Sequence, residues 1–497
     1  MDPQTNPALP REAGVLLAIS SLPSPFGVGT LGKEAFAFVD FLAAAGQKLW
    51  QVLPVNPTAF GDSPYQSPAA LSGNPYFIDP ALLYEEGLLT EKEVGAARDV
   101  SPRVNYGKLF DTRYTLLKKA FSRADRESAE FLAFCRENEA WLTDYALFMA
   151  LKETHAFSPW YLWEEESKNY DSARALAPEM ATELAFWRWV QYVFMKQWNA
   201  LHRYANEKGI RIIGDMPIYV AHDSMDVWRA REEFLLDADG YPEKIAGCPP
   251  DAFTKNGQLW GNPLYRWDKM EREGFPFWIA RMRANLALFD LVRIDHFRGF
   301  AGYYAIPARD KTAKNGVWEK APGEKLFSAV KDAFPNAAII AEDLGFITPD
   351  VRELLKKTGF PGMKVLQFAF DAPQSEYLPR NFTTDRAVVY TGSHDSDCTA
   401  TFVRRLRGER LRRFHLECPV KHGETRTESL IRLALESRAA FAVIPMQDYL
   451  GQSSREGRMN TPAEPSGNWT YRLPPDYEKG DLAARMLRLT RASGRSQ

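Results

Sequence analysis

Apolar residues along this chain gather in short runs, each broken by loop residues and followed by a stretch with helical spacing. Eight such runs stand out, at residues 15–20, 48–54, 211–217, 291–297, 338–344, 363–370, 387–394 and 441–447. Most are rich in β-branched or aromatic residues, the composition of parallel strands buried on both faces. Helix candidates lie between them. Residues 33–46 close on Gly46, an expected C-cap, and residues 182–209 open on Thr182 as N-cap and end at Gly209. Residues 349–358 begin with Pro349 after Thr348 and stop at Gly359.

Strand and helix alternating eight times predicts an α/β fold, a (β/α)8 barrel of the TIM type. The spacing is uneven. The fifth, sixth and seventh strands follow one another at about 25 residues, a bare repeat unit, whereas about 160 separate the second from the third and about 80 the third from the fourth. The barrel is therefore expected over residues 1–60 (strands one and two), 182–228 (strand three) and 290–497 (strands four to eight and a tail). Large insertions are expected at 61–181, mainly helical after residue 90, and at 229–289. No room is left for a C-terminal β-sandwich domain.

Composition narrows the function by exclusion. Hydrophobic residues make up 45% of the 497, ample for a large core, and the net charge of −2 gives no attraction for nucleic acid or an anionic membrane. No run reaches the roughly 20 apolar residues that span a bilayer. The polar, proline-rich residues 1–12 do not read as a signal peptide. Four scattered cysteines without CxxC spacing fit a reduced, cytoplasmic protein, and no obligate protein partner is evident. The 13 Trp, 20 Tyr and 31 Phe can pack a core or, in polar loops, stack on the C–H faces of sugars; composition alone does not separate these.

The chemistry sits where strands end. In Leu291-Val292-Arg293-Ile294-Asp295-His296-Phe297, alternation puts Arg293 and Asp295 on one face. A guanidinium so close keeps a carboxylate ionised, which suits a nucleophile or a charge stabiliser. Two more apolar runs lead into acids, at Glu342-Asp343 and at His394-Asp395, and the third strand ends at Asp215. A single acid at a strand end is as well explained as a helix cap. Four on the C-terminal rim of one barrel, where barrel enzymes place their chemistry, point to a common site. Paired carboxylates suit glycosidic chemistry, in which one acid protonates the leaving oxygen and one carboxylate meets an oxocarbenium-like transition state. A metal reading, with His394-Asp395-Ser396-Asp397 and Asp295-His296 as ligands, is opposed by a total of only seven widely spread histidines. No metal or other cofactor is expected.

These residues carry a family resemblance. Arg293-Ile294-Asp295-His296-Phe297-Arg298-Gly299-Phe300, Ala341-Glu342-Asp343-Leu344-Gly345 and Thr391-Gly392-Ser393-His394-Asp395 resemble the 4-α-glucanotransferases (amylomaltases or disproportionating enzymes, glycoside hydrolase family 77), relatives of the α-amylases. Residues 50–54, 61–67, 214–220, 257–265 and 458–462 extend the likeness, which runs from about residue 12 to 474. The resemblance implies transfer of α-1,4-glucan segments between maltooligosaccharides, or to glucose, by a retaining double displacement. Asp295 would be the nucleophile, Arg293 would hold it ionised, and Glu342 would act as acid and then base. Asp395 and His394 would contact the sugar at the cleavage site and Asp215 would shape that subsite. Trp260 and Gln258 would sit beside the acceptor and Asn460 on the rim. A packed loop anchor at Trp260 and a turn residue at Asn460 are the simpler alternatives. Three positions depart from the family pattern: Ser396 in place of an asparagine, Phe60 in place of a common tyrosine, and Ala252 in place of an often aromatic residue. An α-1,4-glucan hydrolase of the amylase type and a catalytically inactive glucan-binding protein are the competing functions.

Overall fold

The computed structural model describes residues 9–59, 61–250, 254–462, 464 and 466–495. Twelve strands form among the described residues. The first six are β1 (Glu12–Leu16), β2 (Leu49–Gln51), β3 (Arg211–Met216), β4 (Lys244–Cys248), β5 (Gln258–Pro263) and β6 (Leu291–Ile294). The rest are β7 (Gly302–Pro307), β8 (Val317–Lys320), β9 (Ile339–Ala341), β10 (Gly362–Val365), β11 (Ala387–Tyr390) and β12 (Phe441–Pro445). A closed parallel barrel runs in the order β1-β12-β11-β10-β9-β6-β3-β2. Its eight strands are the eight expected from the apolar runs, and among the described residues no β-sandwich follows them.

Every barrel strand is shorter than the apolar run that predicted it, and three places show why. The first strand is 12–16 rather than 15–20, because its ladder with β12 ends at the Leu16–Pro445 pair and the chain then coils at Ile19–Ser21. The second is only 49–51, and the sixth stops at Val365, where Leu366–Phe368 turn into a 3-10 coil. In both cases apolar residues continue past the ladder to fill space outside it, so the run reads longer than the strand. The helices Lys33–Ala44 and Pro349–Thr358 end as expected, with Gly46 and Gly359 in the left-handed region at φ 69° and 70°. Thr182 is not an N-cap: a 3-10 turn over Ala177–Met180 leads straight into the helix Ala181–Glu207.

Alternation along the barrel strands separates two apolar regions. Leu16, Leu49, Ile213, Leu291, Ile340, Met363, Val388 and Val443 fill the lumen, while Val15, Trp50, Ile212, Val292 and Val389 face the surrounding helices. Asp215 and Arg293 follow Ile213 and Leu291 by two residues, so they share the lumen face and form its top layer, beside Gln51 and Tyr390. Tyr390 Oη donates to Gln51 Oε1 at 2.8 Å, which satisfies both buried groups.

Two structures stand on this rim. The loop after β2 is clamped to the long helix Ala181–Glu207 by Gln191, whose amide accepts from Gly73 N at 2.7 Å and donates to Gly73 O at 3.0 Å and Tyr145 Oη at 2.9 Å. The second is a four-stranded antiparallel sheet in the order β5-β4-β7-β8. Its strands come from both sides of β6, two before it and two after.

At Gly14 on β1 there is no room for a side chain. Gly14 pairs with Leu49, and a Cβ there would meet Leu49 Cβ at 2.5 Å and Leu49 O at 2.6 Å. Neither neighbour is the far end of a flexible side chain, so Gly14→Ala should destabilise the protein by roughly 1–3 kcal/mol, the usual scale of overpacking. Urea unfolding with an unchanged m-value checks this; a midpoint equal to that of the parent would show that the barrel adjusts freely.

Candidate active site

Arg293 organises the rim. On the lumen face of β6 it is almost wholly buried, with its Nη1 2.6 Å from Asp215 Oδ1 and 3.0 Å from Asp295 Oδ1. Its Nε lies 3.4 Å from Met363 Sδ on β10. Burial works against the charged guanidinium, but Asp215 and Asp295 more than offset it and push its pKa above the ordinary arginine value. Asp295 begins the turn after β6 and is about a quarter exposed, open to the cleft above.

Asp295 and Glu342 are stitched together by backbone. Asp295 N donates to Met216 O at 3.0 Å, Phe297 N donates to Glu342 O at 3.0 Å, and His296 N donates to Glu342 Oε2 at 2.6 Å. To aim its N–H this way His296 takes a left-handed conformation, φ 50°, at a cost of about 1–2 kcal/mol for a residue with a Cβ. Leu344 N donates to the other oxygen, Oε1, at 3.0 Å. Burial raises Glu342 to about 8; Arg293 and the two N–H donors oppose this and neighbouring Asp295 reinforces it. One guanidinium already shared by two carboxylates leaves a third carboxyl uncompensated, so this is the group that keeps its proton at neutral pH.

Asp395 closes the other side of the cleft. Its Oδ2 lies 3.3 Å from His394 Nε2, and Asn460 Nδ2 donates to Oδ1 at 2.6 Å. Burial opposes ionisation, yet His394, Asn460 and Arg293 together bring its pKa down to about 2. His394 in turn is raised above the ordinary histidine value: burial would lower it, but Asp395 reverses the sign. Its Nε2 is also 3.1 Å from Tyr65 Oη, which donates to Asp215 Oδ2 at 2.9 Å. A continuous hydrogen-bonded chain thus joins Asp395, His394, Tyr65, Asp215, Arg293 and Asp295.

Trp260 and Gln258 reach the site from β5. Gln258 Oε1 accepts from Trp260 Nε1 at 3.0 Å, and the indole meets the His296 ring edge to face at 4.9 Å between centroids. Gln66 Nε2 donates to Trp260 O at 3.1 Å and to Asn262 Oδ1 at 3.0 Å, so the β2 loop holds this strand in place. The half-buried indole is tethered at its nitrogen; it lies against His296 and also packs on the edge of the main core beside Tyr219, 6.2 Å away between ring centroids. Asp215, Asp295, Glu342, Asp395, Arg293, His394 and Asn460 are linked directly or through one residue, and Trp260 with Gln258 joins them through His296.

Several groups at the site carry no strong sequence signal. Tyr65 lies inside the 61–67 motif without any spacing that marks it. Asp448, buried after β12, accepts from Thr391 Oγ1 at 2.6 Å, Thr399 Oγ1 at 2.6 Å and Thr399 N at 2.7 Å, which fixes both ends of the turn carrying His394 and Asp395. Asp397 binds Arg458 Nη1 at 2.5 Å and Ser454 Oγ at 2.9 Å and anchors the segment that bears Asn460. Ser396 Oγ accepts from Ser393 N at 3.0 Å and so serves its own turn. Phe60 and Ala252 lie outside the described residues. Among the described residues no group of three or more His, Cys, Asp or Glu is arranged to hold a metal ion.

A parallel barrel whose rim sets a protonated carboxyl and an ionised one around a buried guanidinium has the equipment of a carboxylate enzyme acting on glycosidic bonds. The sequence matches the model of the 4-alpha-glucanotransferase family, glycoside hydrolase family 77, over residues 17–478. It is 47% identical over 504 residues to the 4-alpha-glucanotransferase of Thermus thermophilus, covering 98% of this chain and 99% of that one. It is 44% identical over 498 residues to that of Synechocystis sp., covering 98% of each chain. The amylomaltase from Streptococcus agalactiae in complex with acarbose superposes with a TM-score of 0.94 at 38% identity, covering 98% of this chain and all of that one. The chain belongs to the 4-alpha-glucanotransferase family, and its activity is 4-alpha-glucanotransferase activity.

The raised Glu342 predicts a linked effect on stability. The folded protein keeps this proton up to about pH 8, while an unfolded glutamate loses it near pH 4.3. The folded state therefore binds more protons in that window, and this residue's contribution to stability falls as pH rises through it. Glu342→Gln removes the linkage. Its thermal midpoint should exceed the parent's by a margin that grows between about pH 4.5 and pH 8. A margin independent of pH would mean that Glu342 is ionised in the folded protein.

Proposed function

We propose that this protein transfers α-1,4-glucan segments from one maltooligosaccharide or glucan to another, or to glucose, by retaining double displacement, with Asp295, Glu342 and Asp395 as its catalytic groups. The observation that carries this reading is the division of charge on the rim: a protonated Glu342 beside an Asp295 held by Arg293. In the first step the Asp295 carboxylate attacks the anomeric carbon of the donor. The glycosidic oxygen takes the Glu342 proton, the C–O bond breaks, and a β-glycosyl ester forms on Asp295. In the second step Glu342, now a carboxylate, removes the proton from the incoming sugar hydroxyl. That oxygen attacks the same carbon, the ester bond breaks, and the α-linkage is restored.

The other residues serve these two steps. Asp395, ionised and braced by Asn460, binds hydroxyls of the distorted donor sugar together with His394, and Asp215 shapes that subsite through Tyr65. Trp260 offers an apolar face for the acceptor ring, with Gln258 fixing its orientation. Transfer rather than hydrolysis requires that sugar outcompete water for the glycosyl-enzyme, and the loop after β2 and the small sheet supply walls for that purpose. The acarbose described with the Streptococcus agalactiae relative supports an α-glucan ligand. A cytoplasmic location is in keeping with the free thiols of Cys135, Cys398 and Cys418 and with the absence, among the described residues, of a helix long and apolar enough to cross a membrane.

Purified protein incubated with maltotriose tests the reading: glucose with longer maltooligosaccharides is the expected outcome, and glucose with maltose and no elongation would make the enzyme a hydrolase. Asp295→Asn should lower kcat by about a thousandfold or more, because an amide cannot form the ester; retained turnover in a folded variant would remove Asp295 from its role. Trp260→Ala should lower the ratio of transfer to hydrolysis in the maltotriose assay along with the transfer rate. An unaltered ratio across acceptor concentrations would leave Trp260 as a packing residue.

A further inference from the structure

Beyond Glu342 the chain emerges into solvent at Gly345, φ 85°, and places Phe346 there with 74% of its surface exposed. A lone exposed apolar side chain needs no explanation. The support beneath this one does. Arg298, only 6% exposed, donates from Nη1 to Phe346 O at 3.0 Å, and its guanidinium lies 3.6 Å from the ring centroid of Trp318, itself 41% exposed. A buried arginine is thus committed to fixing the backbone of an exposed phenylalanine beside a second exposed aromatic ring. Burial works against the Arg298 charge and lowers its pKa, a cost that a merely incidental loop contact would not call for.

The anchors of Phe346 are all on one side of the cleft. Arg298 lies three residues after Asp295, in the coil Phe297–Phe300. Phe346 lies four residues after Glu342, and Leu344 in the same loop holds the Glu342 carboxylate. Trp318 is on β8, the opposite edge of the small sheet from β5 and Trp260, and Arg298 links the two: its charge acts on His296 and on Tyr219, whose ring lies 6.2 Å from that of Trp260 between centroids. The groups that brace Asp395 instead come from β11, β12 and the segment around Asn460. Phe346 therefore continues the wall begun by Trp260 and His296, on the side from which the acceptor enters.

We infer that Phe346, fixed by Arg298 beside Trp318, is an outer acceptor subsite, an aromatic ledge that takes the C–H face of a glucosyl ring of the acceptor chain beyond the ring that attacks. This rests on the transfer reaction and acceptor side assigned above, and adds to them a preference for longer acceptors. A ledge at this distance gives nothing to glucose and something to a chain long enough to reach it. Aromatic rings suit the task because they bring a large apolar area with few rotatable bonds.

The test uses the full-length enzyme, amylose as donor, and radiolabelled glucose or maltotetraose as acceptor. In Phe346→Ala the ratio of kcat/KM for maltotetraose to that for glucose should fall about five- to tenfold, as expected for losing one partly buried apolar contact, and the change should lie in KM. Phe346→Trp should restore the ratio by returning an aromatic plane. Phe346 is exposed, so its removal leaves the core intact, and an unchanged thermal midpoint verifies this. A parental ratio in Phe346→Ala, or an equal loss with both acceptors, overturns the ledge while leaving the transfer reaction standing. A parent enzyme that labels neither acceptor would overturn the transfer reading itself, and the ledge with it.

Discussion

The site depends on a charge that the barrel cannot bury alone. Taking a guanidinium out of water costs several kcal/mol even after relaxation, and the cost is recovered only where partners meet it with good geometry. Arg293 meets Asp215, its direct neighbour across the β3–β6 ladder, and Asp295 two residues further along the chain, just past the end of its strand. That pairing holds in one register only. A slip of one residue would turn Arg293 outward, against the helices, and leave Asp215 buried with no cation. The ion cluster and the closure of the barrel are therefore a single condition, and the ionisation states of the remaining acids follow from it.

The two sides of the cleft are built from different materials. Around Asp395 the supports are hydrogen bonds to carboxylates, the buried Asp448 and the half-buried Asp397, which grip short turns. Around Glu342 they are backbone amides, a left-handed His296 and an antiparallel sheet. The first arrangement suits a fixed grip on one sugar. The second suits a carboxyl that loses and regains a proton, as the proposed mechanism asks of Glu342, since N–H donors to both oxygens serve the charged form while burial serves the neutral one.

Much of this was legible in the sequence where burial and alternation act together. Arg293 and Asp295 could be put on one face because strands alternate, and Glu342, Asp395 and Asp215 could be grouped because each ends an apolar run. The strand limits were less legible: Leu366 and Phe370 are buried outside the ladder, and a run of apolar letters does not distinguish a strand from the coil that caps it. The small sheet left little trace. Its edge strands, Gln258–Pro263 and Val317–Lys320, are largely exposed or half-buried and mix glycine, proline and charge, so no period of two marks them. Tyr65 acts through His394, 329 residues away, and Asp448 through Thr391 and Thr399, 57 and 49 residues away, contacts that one sequence does not reveal.

The small sheet draws β4 and β5 from ahead of β6 and β7 and β8 from behind it, so the barrel strand leading to Asp295 lies, in sequence, between the two halves of the wall proposed for the acceptor. For the engineer this makes the wall a two-part cassette. A graft that exchanges residues 229–289 alone would bring in a half-sheet whose central pair, β4 against β7, had never been matched. New acceptor behaviour is therefore to be sought by exchanging both segments together, or by altering side chains such as Phe346 that the ladder does not use.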